Sequence, residues 1–538
     1  MKFSKLLKGI FVAAIVLCIA FFAWLYFKPQ GQVSKSVRDL AYMSATEQIE
    51  KFKSGELSPV DVLKAQLEMI KEYNGEVASG KEEVSDCLNF NGKVNAISFE
   101  NYEEALEQAK EAEKRYKEGT ARPLEGVTLA VKNDCEVKGW VVNGASLVAK
   151  DVPPSKTDDP MIEKLREAGV IFVFQTTVPE FWVSGMTWSR LYGVTRNPWN
   201  ENYTPGGSSG GSCAALAGGF CTLATGSDMG GSIRVPSSMC GVYGFRSPYG
   251  RVAQTTYTQY CTIGVQARAM DDLILVQNII TGPSARDLGA ISPKLEYPKS
   301  YKDLKGVKIA VDYFDHWLVN GIDKEERKAM DKVVAALKQA GAEIVEVKLS
   351  WTSNIYNDVF GNALFSSAIG SMFKLTVGKE DQLTPYVANL LKKLDDTGFF
   401  NTPGAIFLGK AEQFIKSAHK EVQEKVFGQG CLALITPVLS TPFVPADYGA
   451  SQEKTALANG IPLLGGDGEV FMTFPWNLLF SYPIVAVPAS LTSNEVPVGV
   501  QVIGNVYQDL DAFRVAMSLS KILPQLYKDG RFPTFTRK

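Results

Sequence analysis

The chain has 538 residues, 45% of them hydrophobic and 21% charged, so it can bury a large core and is no disordered polymer. Its 56 basic and 58 acidic residues leave a formal charge of -2, which gives no general attraction to nucleic acid; no nucleic-acid partner is expected. Eight cysteines without a C-x-x-C pair, and only two histidines, argue against a zinc site and for free, buried thiols.

In chain order, residues 1–8 are a basic flank carrying Lys2, Lys5 and Lys8. Residues 9–27, "GIFVAAIVLCIAFFAWLYF", run without a charge. As a helix they would reach about 28 Å, against a hydrocarbon core of ~30 Å. No A-x-A-like cleavage site follows, so the spacing predicts an uncleaved, single-pass N-terminal transmembrane anchor and a membrane localisation. Lys28, Lys35 and Arg38 balance the lysines ahead of the span, which leaves the side of the catalytic domain open. Residues 28–45 read as a polar tether, and 46–538 as one domain without an internal linker.

Within that domain Ser58 and Pro59 start a helix whose apolar stripe is Val60, Leu63, Leu67 and Ile70. A second amphipathic helix over 101–119 ends at Gly119. From "GVTLAVKND" onward, short apolar strands alternate with helices: 169–177 after a helix at 160–168, 306–314 before one at 324–340, then 342–349, 432–439, 482–490, 497–504 and a closing helix near 509–523. Continuous apolar strands of this kind predict an α/β fold with a central mixed, mostly parallel sheet covered by helices on both faces. In 128–132, Leu129 and Val131 face one way, and Thr128, Ala130 and Lys132 the other.

Glycine is concentrated in one place, with 12 of the chain's 47 between 206 and 250. That segment, "GGSSGGSCAALAGGFCTLATGSDMGGSIRVP", is threaded with apolar residues, so it is no linker. A phosphate loop would need Gly-Lys-Ser/Thr after the glycines, and none follows. Gly206 to Gly210 matches the G-x-S-x-G nucleophile elbow, but that chemistry needs a downstream histidine, and only His316 and His419 are available. "GGSSGGS" at 206–212 joined to "DMGGSIRVP" at 228–236 resembles the hallmark of the amidase signature family. "GVTLAVKNDCEVKG" at 126–139 is similar to the family's lysine strand, and "FPWNLLFSYPIVAVPAS" and "PVGVQVIG" to its closing strands.

The resemblance implies the amidase signature fold and a Ser-Ser-Lys catalytic group, one of the Ser-Lys variants of triad logic. Carried onto matching positions, Ser232 is the nucleophile, Ser208 the proton relay behind a cis Gly207–Ser208 bond, and Lys132 the general base and acid. Met229, Gly230, Gly231 and the Ser232 N–H become the oxyanion hole, with Asp228 and Arg234 bracing the loop. Trp182 is the expected substrate-pocket contact. Many members read Asp-Asn where this chain reads Asn133-Asp134, a change expected to touch local packing or substrate detail and not the catalytic group. No metal or organic cofactor is required; the partner is a small-molecule amide, and a homodimer is an allowed assembly. An aromatic pocket with a membrane span further resembles fatty acid amide hydrolases. The alternatives are a glutamyl-tRNA amidotransferase A-like protein, or a catalytically silent binding protein on the same scaffold.

Overall fold

The computed structural model describes residues 33–76, 93–255, 258–356, 374–396, 404–448, 456–463, 467–528 and 530–536. Its centre is an eleven-stranded sheet. The strands are β1 (Ile97–Glu100), β2 (Thr128–Lys132), β3 (Ile171–Thr176), β4 (Leu223–Asp228), β5 (Tyr243–Arg246) and β6 (Thr262–Ala267). They continue with β7 (Lys308–Val311), β8 (Glu343–Glu346), β9 (Ala433–Pro437), β10 (Ile484–Leu491) and β11 (Pro497–Gly504). The spatial order is β1-β3-β2-β4-β6-β5-β10-β11-β9-β7-β8.

The sheet is mixed as expected, but antiparallel pairs predominate where parallel ones were expected to. Parallel pairing is confined to β3-β2-β4 and β9-β7-β8, while the middle of the sheet is antiparallel. The reason for the difference lies in burial. β10 and β11 are covered on both faces, so they carry nearly continuous apolar runs of the kind that parallel strands usually show. One face packs Leu129, Val131, Val265, Val485 and Val500 against helices Pro160–Ala168, Met270–Ile280, Lys324–Gln339 and Asp509–Ile522. On the other, Ala130, Val173 and Ala224 meet the small-residue helix Gly210–Ala217. The alternation read for residues 128–132 is therefore present in the structure.

Ser58 caps helix Pro59–Tyr73 by accepting from Asp61 N, and Gly119 closes helix Tyr102–Glu118 in the left-handed conformation. Residues read as a tether also contribute structure: Lys35–Ala41 is a helix capped by Ser34, and the buried Tyr42 donates its hydroxyl to Ala217 O at 2.7 Å. A helix-forming stretch too short to show a clear period explains why it read as polar linker. Six cysteines of the described residues are free, five of them buried. Among the described residues no helix is long and apolar enough to cross a membrane, and residues 9–27 lie outside them. The expected membrane localisation is corrected on that finding, while the anchor read over 9–27 falls outside the described residues.

Candidate active site

β2 and β4 are parallel neighbours, with Leu129 opposite Leu223 and Ala130 opposite Ala224. Their carboxyl ends therefore lie side by side, the place where open α/β sheets bind ligands. Lys132 ends β2 and Asp228 ends β4. Between β3 and β4 the chain passes through the Gly-Ser stretch and helix Gly210–Ala217, which lies close on the sheet: a Cβ at Gly211 would sit 2.4 Å from Thr177 O.

Lys132 is fully buried. Its Nζ lies 2.9 Å from Ser208 Oγ, 2.6 Å from Ser227 Oγ and 2.9 Å from Asp134 Oδ2. Ser227 Oγ also donates to Asp134 Oδ2. The Lys132 N–H is held by Thr225 Oγ1 at 2.8 Å. Ser208 is buried and follows a cis Gly207–Ser208 peptide bond, as the resemblance implied. The next residue's N–H, that of Ser209, donates to Ser232 O at 3.3 Å, which joins the Ser208 backbone to the loop carrying Ser232. Ser232 is partly exposed and leads into helix Arg234–Cys240. Lysine, and not histidine, meets the hydroxyl in the G-x-S-x-G stretch.

Residues 228–232 form a tight loop. The Gly231 N–H donates to Asp228 Oδ1 at 2.8 Å, so this expected oxyanion donor is already engaged. Among the described residues the N–H groups of Met229, Gly230 and Ser232 are used by no internal hydrogen bond. Gly231 has φ +128°, and a Cβ there would come within 2.0 Å of Thr473 Oγ1. Thr473 Oγ1 donates to Gly230 O at 2.6 Å.

Asp228 and Arg234 are both fully buried, so they are no surface pair. Arg234 Nε and Nη2 hold the two carboxylate oxygens at 2.8 and 3.0 Å, while Nη1 and Nη2 also donate to Thr473 O, Gln501 Oε1 and Asn477 Oδ1. Asn477 Nδ2 returns to Asp228 Oδ1 at 2.8 Å. Burial alone would push the Asp228 carboxyl up; the Arg234 charge and its hydrogen bonds outweigh it and hold Asp228 well below the usual carboxylate range.

Trp182 stands 37% exposed at the rim of this region, and its indole N–H donates to Asn133 O at 2.8 Å, one residue beyond Lys132. Phe181 and Trp182 both adopt left-handed backbone, φ 50° and 61°. Glu180 fixes this turn from inside, accepting Ser146 Oγ at 2.5 Å and the Thr384 N–H and hydroxyl at 2.6 Å each. Asp134, Ser227 and the Thr473–Asn477–Gln501 set went unread as site residues. A usable signal was present for Ser227: Thr225 and Ser227 alternate on one face of β4, toward Lys132.

A family profile described as Amidase matches residues 83–511. In Carboxydothermus hydrogenoformans, the protein named as the A-type component of glutamyl-tRNA(Gln) amidotransferase is 34% identical over 326 residues, 58% of this chain and 62% of that relative. Its namesake in Desulfotalea psychrophila is 28% identical over 507 residues, covering 89% of this chain and 97% of the relative. Relatives named as amidotransferase components add to the correction of the membrane localisation. The fold superposes on a bacterial aryl acylamidase of the amidase signature family with a TM-score of 0.77, over 89% of this chain and 96% of that one, at 23% identity. With a profile match over most of its length and that fold around the lysine strand and the Gly-Ser stretch, the chain belongs to the amidase signature family, whose enzymes break amide C–N bonds.

Proposed function

We propose that the protein hydrolyses carboxylic amides through an acyl-enzyme on Ser232, with Lys132 as base and acid and Ser208 as the proton relay between them. The observation that carries this reading is a fully buried lysine amine 2.9 Å from Ser208 Oγ, beside the loop that presents Ser232. Uncharged Lys132 takes the Ser208 proton as Ser208 takes that of Ser232, and Ser232 Oγ bonds to the carbonyl carbon. The oxygen of the tetrahedral intermediate faces the unused N–H groups of Met229, Gly230 and Ser232. The proton returns along the same path to the leaving nitrogen, the C–N bond breaks and the amine departs. Water then repeats the sequence in reverse and frees the acid.

The acyl group lies beside Trp182. Two consecutive bulky residues in left-handed backbone cost about 1–3 kcal/mol each, and such conformations gather where a surface must face a ligand. That apolar wall suits an apolar acyl group; a fatty acyl chain is the longest version of it. A second reading, delivery of ammonia to a partner, is favoured by the relatives named as components of glutamyl-tRNA(Gln) amidotransferase. Co-purification with a tRNA-binding partner and glutamine-dependent ammonia release would distinguish it. The direct test is mass spectrometry of rapidly quenched protein with amides of graded acyl length. An adduct on Ser232 is expected and should vanish in Ser232→Ala; turnover without any Ser232 adduct contradicts the reading.

A further inference from the structure

Arg246 ends β5 and is fully buried. Of its three nitrogens, Nη1 donates to Tyr482 O at 3.2 Å, while Nε and Nη2 are buried and meet no acceptor among the described residues. Those two nitrogens form one edge of the guanidinium, and its parallel N–H groups match the two oxygens of a carboxylate. The molecule uses that same edge elsewhere. Arg234 Nε and Nη2 take Asp228 at 2.8 and 3.0 Å, and Arg251 Nε and Nη2 take Asp509 at 2.9 and 3.0 Å. Arg246, buried as deeply as Arg234, turns the edge to no carboxylate of the described chain.

Charge points the same way. Arg234, Asp228 and Cys261 are the ionisable groups whose fields act on Arg246. The Asp228 oxygens are already taken by Arg234, Asn477 and the Gly231 N–H, and burial pushes the Cys261 thiol up to about 12, so it stays neutral. Two buried guanidiniums therefore share one carboxylate. Burial first, and then the Arg234 charge, push Arg246 down to about 9, which leaves it charged at neutral pH. A buried cation is costly to hold unless an anion pairs with it.

Thr262 supplies a further donor. It opens β6 directly opposite Asp228 of β4, and antiparallel partners carry their side chains on the same face. Thr262 is buried, and its Oγ1 has no partner among the described residues. Cys261, just before it, is partly exposed, so solution comes within one residue of Thr262. We propose that Arg246 and Thr262 form a binding site for a small carboxylate, which lies across the Nε–Nη2 edge and accepts the Thr262 hydroxyl. This site is additional to the hydrolysis and stands whether or not Ser232 is the nucleophile.

The test is isothermal titration calorimetry of the full chain with sodium formate, the ionic strength held constant with sodium chloride. Formate offers two oxygens to the paired N–H groups, whereas chloride, a sphere, cannot lie in line with both. Thermal unfolding is followed over the same series. One saturable site is expected, with an unfolding midpoint that climbs as formate is added. Arg246→Lys keeps a positive charge but loses the two-pronged edge, and should weaken formate binding about tenfold or more. Thr262→Val keeps the shape, loses the hydroxyl, and should weaken it by about tenfold, the effect of one hydrogen bond to a charged group. If Arg246→Lys fails to fold, Thr262→Val carries the test. A titration without saturable heat, together with a midpoint indifferent to formate, overturns the proposal, since water then meets these donors. Native formate affinity in either folded variant overturns it as well, because the anion then binds elsewhere.

Discussion

At the residue scale, the positions of the site are constrained for different physical reasons. Lys132 is a long side chain among small ones at the end of β2, and its burial beside Ser208, Ser227 and Asp134 gives its amine a fixed set of neighbours. Gly231 matters for space and backbone together, since φ +128° suits glycine and a Cβ would overlap Thr473 Oγ1 at 2.0 Å. Gly231→Ala should therefore displace the Met229–Ser232 loop and its N–H groups. We expect kcat to fall by about 10²-fold or more, in the range seen for loss of an oxyanion donor, with the protein still folded. Steady-state kinetics paired with a thermal melt checks this; native kcat in a folded variant would contradict it.

At the element scale, the loop after β4 is held by a charge pair that no water reaches. Removing one partner of such a pair leaves the other buried without compensation, at a cost of about 3–5 kcal/mol. Asp228→Asn should lose stability on that order in urea denaturation, while a loss below ~1 kcal/mol would show that Asn477 and Thr473 suffice for Arg234. The pH dependence has a definite sign. Asp228 is held below the range in which an unfolded aspartate takes up its proton, ~3.9, so the pair's contribution is complete above about pH 4 and declines as the solution is acidified. The elements around this loop were legible to different degrees. Helices Pro59–Tyr73 and Lys324–Gln339 announce themselves through caps and an apolar period. Asp134, by contrast, is recognisable only once the turn after β2 brings its carboxylate back on Lys132, a contact that no periodicity encodes. The Thr473, Asn477 and Gln501 contacts to Arg234 join positions more than 200 residues apart in the chain.

At the scale of the whole molecule, strand direction was the part that the sequence concealed. A strand buried on both faces looks the same whichever way its neighbour runs, so β10 and β11 gave no sign of their antiparallel pairing. The carboxyl ends of β2 and β4 still meet, because that pair is parallel as expected. Global stability carries a second pH signature through Asp467, whose carboxyl is pushed up to about 6 by burial despite the Gly185 N–H that donates to it at 3.1 Å. The folded form binds that proton more tightly than the unfolded chain, so this residue costs stability as pH rises from about 4 to 6. Asp467→Asn should melt above the native protein at about pH 8 and close to it at about pH 4; the same offset at both values would rule the residue out as the source. The central claim is that Lys132 activates Ser232 through Ser208. Its most direct measurement is the rate of fluorophosphonate labelling of Lys132→Met near neutral pH, beside the native protein. The account predicts a fall of at least about 10²-fold, the lower bound for losing a general base, with folding intact; labelling at the native rate would contradict it.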